Sequence, residues 1–399
     1  MIFFMIALLI YIVLNICVIR HMENWLACCH TLFRRPFAKV VYILFYTLLA
    51  SGPVIALLLP ASDFQIALAK FSNYWMGVFI YILLALLVAK LVVLILKIFG
   101  KMPRRASKDY KQLCRIGGLT LLPLIAGISI YGAVHTGTIK TKEYQITIHK
   151  QAGELSGLRI GLISDLHLGY SVGKRDVEKV VRQLNSANLD LICIAGDIYD
   201  NDYDTIDHPE EISRLFSGLQ STYGTFACYG NHDISEKLLG GFTFEDKGRE
   251  LRDPRVDKML EDGGITILND EVRLIERSFY LAGRLDASKT GVSGLKQKTI
   301  TEFTKTLEPD KPILVMEHQP GDLANEAEAN VDLSMAGHTH NGQIFPINLL
   351  IKLFWKNPYG LYENGDFHSV VTSGVGTWGP HMRVGTNSEV VIIDVTFSE

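Results

Sequence analysis

The sequence has no C-x-x-C pair among its six cysteines, no internal repeat and no low-complexity tract. Without paired cysteines there is no zinc-finger or dithiol motif, and the adjacent Cys28 and Cys29 beside His30 lack metal-site spacing. The cysteines therefore read as ordinary thiols, with acylation of Cys28 or Cys29 near a membrane as the alternative. Cys193 and Cys228 lie in apolar runs that read as buried strands, which argues against a disulfide framework. A charge excess of either sign is also missing: 39 basic and 42 acidic residues leave −3, so nothing favours nucleic acid as a partner. The first apolar run has no basic segment before it and no A-x-A site after it, so it reads as a retained helix rather than a cleaved signal.

What is abundant is apolar residues, 48% of 399, alongside an ordinary 20% of charged ones. The excess is concentrated in residues 1–138. Four stretches there, about 2–18, 40–59, 75–96 and 117–134, approach or exceed the roughly 20 helical residues that span a hydrocarbon core. Pro53 and Pro123 fall inside spans, which a membrane bundle tolerates because neighbouring groups satisfy the freed backbone. Basic residues cluster after the first stretch (Arg20, Arg34, Arg35, Lys39) and after the third (Lys97, Lys101, Arg104, Arg105, Lys108, Lys111, Arg115), which places both loops in the cytoplasm. Both termini, and with them residues 158–399, are then expected on the extracytoplasmic face of the cell membrane. Lys90, the one charge within a span, is close enough to the cytoplasmic end to snorkel.

After a linker and first strand at 139–157, strand-like runs alternate with helical patterns, as in a mixed α/β domain. The strands deliver polar residues at their C-terminal ends, where open α/β sheets place ligands. Asp165 and His167 form D-x-H, Asp197 and Asp200 frame G-D-x-x-D, and Asn231, His232 and Asp233 complete G-N-H-D. His318 follows a later strand, and His338 and His340 form G-H-T-H. Each alone has an ordinary reading, as turn former, cap or hydrogen-bonded histidine, but together they point to a metal site. Asp165, His167, Asp197, Asn231, His318, His338 and His340 supply four imidazoles, two carboxylates and an amide with no thiolate, which suits manganese, iron or zinc. Seven ligands are too many for one tetrahedral ion and fit two divalent ions sharing a carboxylate, of the kind that activates water and holds a phosphoryl group.

These motifs, in this order, resemble the calcineurin-like metallophosphoesterase superfamily over Leu158 to Val395. The resemblance implies a two-sheet β-sandwich flanked by helices and two metal ions, manganese foremost. It implies that Asp165, His167 and His340 hold one ion, that Asn231, His318 and His338 hold the other, and that Asp197 bridges. It also implies attack by a bridging hydroxide, with His232 as general acid and Asp233 orienting it. The arginine of the protein phosphatase motif is missing from Gly196 to Asp202, and the run from Gly374 to Arg383 looks more like membrane-anchored bacterial phosphodiesterases and pyrophosphatases acting on lipid-linked nucleotides. A phosphomonoesterase on soluble metabolites and a non-catalytic membrane receptor or transport component are the competing readings.

Two segments bear on substrate. Arg383 could grip a phosphate oxygen with its planar fork, or could be a surface arginine. Ile347 to Trp355 crowds apolar residues around Lys352 and next to Lys356, soon after His340. It reads either as a core element or as an amphipathic lip reaching the bilayer, the latter matching a lipid phosphate ester. The lipid bilayer and a phosphate-ester substrate are the expected partners, and no protein partner is inferable.

Overall fold

The computed structural model describes residues 2–60, 62–105, 107–200, 202–233, 237–239, 242–244, 252–289 and 297–398. The chain divides into two compact units, Met1–Ala133 and Val134–Glu399.

Four helices carry the first unit: α1 (Ile2–Cys29), α2 (Pro36–Leu58), α3 (Asp63–Ile98) and α4 (Lys108–His135), each long and apolar enough to cross a membrane. They extend past the apolar stretches that mark them in the sequence. α1 continues beyond Val18 through Arg20 and Glu23, and α3 starts at Asp63, where the Ser62 hydroxyl accepts from the Gln65 amide at 3.2 Å. The reason is that arginine, glutamate, leucine and methionine favour helix in water too, so apolarity delimits the lipid-immersed part and not the helix. Inside the bundle, Val18, Tyr46, Ala50, Trp75 and Phe79 are buried together. Polar groups knit them: Tyr46 donates to Asn15 Oδ1 at 2.8 Å, Tyr11 to the Ala50 carbonyl at 2.8 Å, and the Trp75 indole to the Tyr11 oxygen at 3.1 Å.

The second unit is a four-layer stack of helices, sheet, sheet and helices. One sheet runs in the order β1 (Ile139–Ile148), β14 (Ser388–Phe397), β2 (Gly157–Ile163), β3 (Leu191–Ala195), β4 (Thr225–Cys228) and β7 (Ile265–Ile267). The other runs β12 (Gly360–Asn364), β13 (Phe367–Val371), β11 (Leu333–Ala336), β10 (Ile313–Met316), β9 (Phe279–Gly283) and β8 (Glu271–Ile275). A hairpin of β5 (Lys237–Leu239) and β6 (Phe242–Phe244) stands apart from both. This is the two-sheet sandwich the motifs imply.

Strand alternation builds the layers. In β3, Leu191, Cys193 and Ala195 face the second sheet, against Leu314, Met316, Leu333 and Met335. Ile192 and Ile194 face the helices α5 (Lys174–Asn185), α6 (Pro209–Phe216) and α7 (Pro254–Asp262). Val177, Val180, Val181 and Leu184, at helical spacing, form the buried stripe of α5. The polar stretch after α4 is more than a linker: β1 is a ten-residue edge strand paired in parallel with β14 along its length, and it buries Ile146 and Ile148. Only residues 136–138 separate α4 from β1.

Candidate metal centre

β2, β3 and β4 run parallel as neighbours, as do β10 and β11 in the facing sheet. Their C-terminal ends therefore open at the same edge of the sandwich, and every candidate ligand follows one of them. The turns are tight. Asp165, His167, Asp197, His338 and His340 all have positive φ, between 48° and 70°. Non-glycine residues hold that conformation at a cost of roughly 1–2 kcal/mol each and do so where surrounding structure imposes it, commonly at active sites. Two glycines let the loops close. A Cβ on Gly230 would lie 2.2 Å from Asp197 Oδ1, and one on Gly196 would lie 2.7 Å from His318 Nδ1. These are the glycines of G-N-H-D and G-D-x-x-D, and their role is close approach.

Asp165, His167 and His340 converge so that one ligand atom from each lies within 4.8 Å of the others, and Asp197, His318 and His338 do the same. Asp197 Oδ2 is 2.9 Å from His318 Nε2 and 3.8 Å from His167 Nε2, between the two groups. His167 Nε2 and His340 Nε2 are 3.1 Å apart, and His318 Nε2 is 3.2 Å from His338 Nδ1. Ring nitrogens brought this close within each group suit a shared cation. Asn231 Oδ1 is buried with no hydrogen-bond partner, an acceptor that a cation would satisfy. Four imidazoles, two carboxylates and an amide oxygen thus fit a pair of divalent ions of borderline softness.

Electrostatics agree with that fit. Burial, reinforced by neighbouring cationic groups, holds His340 well below the usual imidazole range and His338 at about 3, so both keep lone pairs for a metal. Burial opposes charge on His318 as well, but the Asp197 carboxylate outweighs it and raises the pKa. Outer groups fix the ring orientations: His167 Nδ1 is 2.7 Å from Asp200 Oδ1, and His318 Nδ1 is 2.9 Å from the Ala195 carbonyl. Asp200 stood in the G-D-x-x-D run without a role; its long-range contact supplies one.

Two residues have surroundings that the motifs alone do not show. The Asp233 carboxylate accepts from the Gly230, Ile198 and Tyr199 amides at 2.7, 2.7 and 3.1 Å, so it ties two loops together. The Asp200 carboxylate faces the His232 ring, 3.6 Å from its Nδ1. Arg383 is not a surface residue: it is fully buried, and its Nη2 donates to the carbonyls of Ser373 and Gly376 at 2.6 and 2.8 Å. Its Nη2 also lies 3.4 Å from His340 Nδ1, so the guanidinium positions the glycine-rich loop and a candidate ligand.

Residues 158–342 match the calcineurin-like phosphoesterase family. The soluble half is a calcineurin-like metallophosphoesterase domain. A metallophosphoesterase of Campylobacter jejuni is 29% identical over 310 residues, covering 76% of this chain and 75% of its own. A Danio rerio transmembrane protein with metallophosphoesterase domain is 28% identical over 311 residues, covering 72% of this chain and 63% of its own. A metallophosphoesterase of Helicobacter pylori is 30% identical over 259 residues, 64% of this chain and 63% of the relative. The first two matches cover more than the unit Val134–Glu399 alone could supply, so they take in part of the membrane region. The four apolar helices and the transmembrane relatives make this a membrane protein, and its metallophosphoesterase domain makes it a metal-dependent phosphoric ester hydrolase.

Proposed function

We propose that the protein is a membrane-anchored two-metal phosphoesterase that hydrolyses a phosphodiester or a pyrophosphate outside the cytoplasm. The observation that carries this reading is the pair of ligand groups with Asp197 between them. Asp165, His167 and His340 would hold one ion, Asn231, His318 and His338 the other, and Asp197 both. When bound, such a pair, manganese foremost, with iron or zinc as alternatives, neutralises phosphoryl oxygens and supplies hydroxide at neutral pH.

The remaining work belongs to the chain. His232 is buried at the mouth of the Asp197 loop, with its backbone amide donating to Asp197 Oδ1 at 2.8 Å. Burial holds its pKa down, so its protonated form gives up a proton more readily than a free imidazolium, while the Asp197 and Asp200 carboxylates favour that form. With Nδ1 facing Asp200, Nε2 is the atom that would pass a proton to the leaving-group oxygen. Asp233 keeps the loop under His232 rigid through three backbone amides. A full set of ligands with the acid in place is what catalysis needs and what a non-catalytic receptor does not.

The test uses the full-length protein loaded with manganese, iron or zinc in turn. Faster hydrolysis of bis(p-nitrophenyl) phosphate than of p-nitrophenyl phosphate is expected; the reverse would move the reading to a phosphomonoesterase. Absence of both activities with all three metals would sink it. Orientation follows from the basic loops at Arg34, Arg35, Lys101 and Arg104. A cysteine introduced at exposed Lys305 should react with an impermeant reagent on intact cells, and labelling only after lysis would reverse the topology.

A further inference from the structure

From β1 onward the described residues bury their large apolar side chains, apart from Leu274 and one local cluster. Among the described residues of that part of the chain, the exposed large hydrophobics are Leu274, Phe345, Ile347, Leu349, Leu350, Leu353 and Phe354. All but Leu274 fall within ten residues of sequence. Leu349 is 61% exposed, and Leu353 and Phe354 are each 77% exposed. Between Phe345 and Phe354 the chain makes one helical turn, Ile347–Leu350, and the 3-10 turn Ile351–Leu353, neither of which contains a buried residue. The segment is therefore not a core element. Exposed Lys352 and Lys356 lie in the same stretch.

This segment is built onto the metal centre. It follows the turn His340–Gly342 directly, and a Cβ on Gly342 would come within 2.6 Å of the Asn348 backbone, so the two turns are pressed together. The Phe345 amide donates to the Val384 carbonyl at 2.8 Å, next to the Arg383 that supports His340. Trp355 closes the segment with its ring edge-on to His338, centroids 5.3 Å apart. The segment that carries the six exposed apolar side chains thus abuts the turn of His340 and the ring of His338.

Their occupant is a lipid surface. In water this patch would be a liability, because soluble surfaces rarely group so many large apolar side chains. Here the domain is joined by residues 136–138 to the last membrane-spanning helix, at most about 10–14 Å of extended chain. A bilayer is therefore always at hand. Apolar side chains flanked by lysines are also what an interfacial segment needs: the former enter the acyl boundary and the latter meet anionic headgroups.

We propose that residues 345–356 form a lip that seats in the bilayer interface and lets the metal centre take its phosphate ester from the lipid layer. The substrate part of this inference rests on the phosphoesterase reading above; the seating does not. Two measurements on the full-length protein in phosphatidylcholine and phosphatidylglycerol vesicles test it. A benzophenone amino acid introduced at position 353 should, on illumination, give a phospholipid adduct detectable by mass; adducts to protein alone, or none, would overturn the lip. In the second, manganese-loaded wild type and the double variant Leu353→Glu with Phe354→Glu are compared on two diesters sharing one leaving group, hexadecyl and ethyl p-nitrophenyl phosphate. The variant should lose roughly tenfold or more in kcat/KM on the vesicle-borne hexadecyl ester, since two apolar anchors are gone, and less than about twofold on the ethyl ester. Equal loss on both esters would make the segment part of the catalytic site, and no loss on either would show that it seats nowhere; each contradicts the proposal. If the wild type hydrolyses neither ester, the phosphoesterase reading and its lipid substrate fail together, and the crosslink alone decides the seating.

Discussion

The membrane unit and the phosphoesterase domain use the same side chains in opposite senses. In the bundle, Leu48, Leu58 and Phe37 point outward, 67%, 75% and 80% exposed, while Asn15, Gln65 and Ser72 are buried. In the domain the aliphatic residues of β2, β3, β10 and β11 are buried, and polar groups reach the surface or gather at the strand ends. The difference teaches that an exposed leucine is information about its solvent. By that standard Leu349, Leu353 and Phe354 belong with the bundle's outer surface rather than with the domain that carries them. Polar residues divide the same way: in the bundle they hold helices together, and in the domain they form a site.

If that division is right, replacements in the domain should destroy chemistry without touching the bundle, and the largest effect should come from Asp197. Its Oδ2 lies between the two ligand groups and its Oδ1 accepts from the His232 amide. Asp197→Asn should therefore take metal occupancy and turnover down together, well beyond the roughly 10- to 100-fold that an outer partner costs. Elemental analysis of the purified variant alongside diester turnover checks this. Two metals retained with near-normal activity would remove Asp197 from its bridging place.

His232→Ala comes next. A general acid typically contributes about 100- to 10,000-fold, and the loss should be concentrated on esters with poor leaving groups. Comparing an alkyl with a p-nitrophenyl leaving group gives the readout, and uniform loss on both would mean that His232 binds phosphate or metal instead. Metal content should stay at two ions.

Asp200→Asn should be milder. Burial pulls the His167 imidazole down, but the Asp200 carboxylate outweighs it and holds the group up at about 9. Below that pH the metal-free ring carries a proton that an incoming ion must displace, so manganese affinity should climb as pH rises from 6 to about 9. Removing the Asp200 charge should flatten that climb while loosening the ring, at a cost of about 10- to 100-fold in affinity. Titration calorimetry at several pH values separates the two effects, and an unchanged slope would show that Asp200 does not set the His167 proton.

How much of this could be read beforehand depends on the range of the contacts involved. The convergence of Asp165, His167, His338 and His340 as candidate ligands was legible because each sits within a few residues of a strand end, so local spacing records their placement. The sandwich was legible through those same strands and the motifs they carry. A first strand was legible within 139–157, but its ten-residue length and its place beside β14 were not, because the strand opens on the polar run Lys140, Thr141, Lys142 and Glu143 and its partner lies more than 200 residues away. The burial of Arg383 had no local sign either, since the carbonyls and the His340 ring that enclose it come from two separate loops. The contacts of Asp233 had no local sign for the same reason, since the fold brings the Ile198 and Tyr199 amides to its carboxylate from more than 30 residues away.

The smallest effect is expected in the bundle, where the sequence spoke only of apolarity. Asn15 interrupts the first apolar run, and the structure gives it a partner on another helix, the Tyr46 hydroxyl at 2.8 Å. Its own amide donates to the Tyr11 carbonyl at 2.8 Å, one helical turn back, so the side chain is satisfied on both ends. Such a bond in a membrane bundle is worth only about 0.6 kcal/mol on average, because the separated helix also finds polar partners. Tyr46→Phe removes the hydroxyl and keeps the ring against Trp75, whose centroid lies 5.7 Å away. The variant should lower the bundle's stability in a detergent unfolding titration by about that amount and leave hydrolysis of a soluble diester unchanged. A loss of several kcal/mol would mean that the Asn15, Tyr46, Tyr11 and Trp75 contacts act as one network, and a fall in diester turnover would mean that the bundle reaches into the chemistry after all.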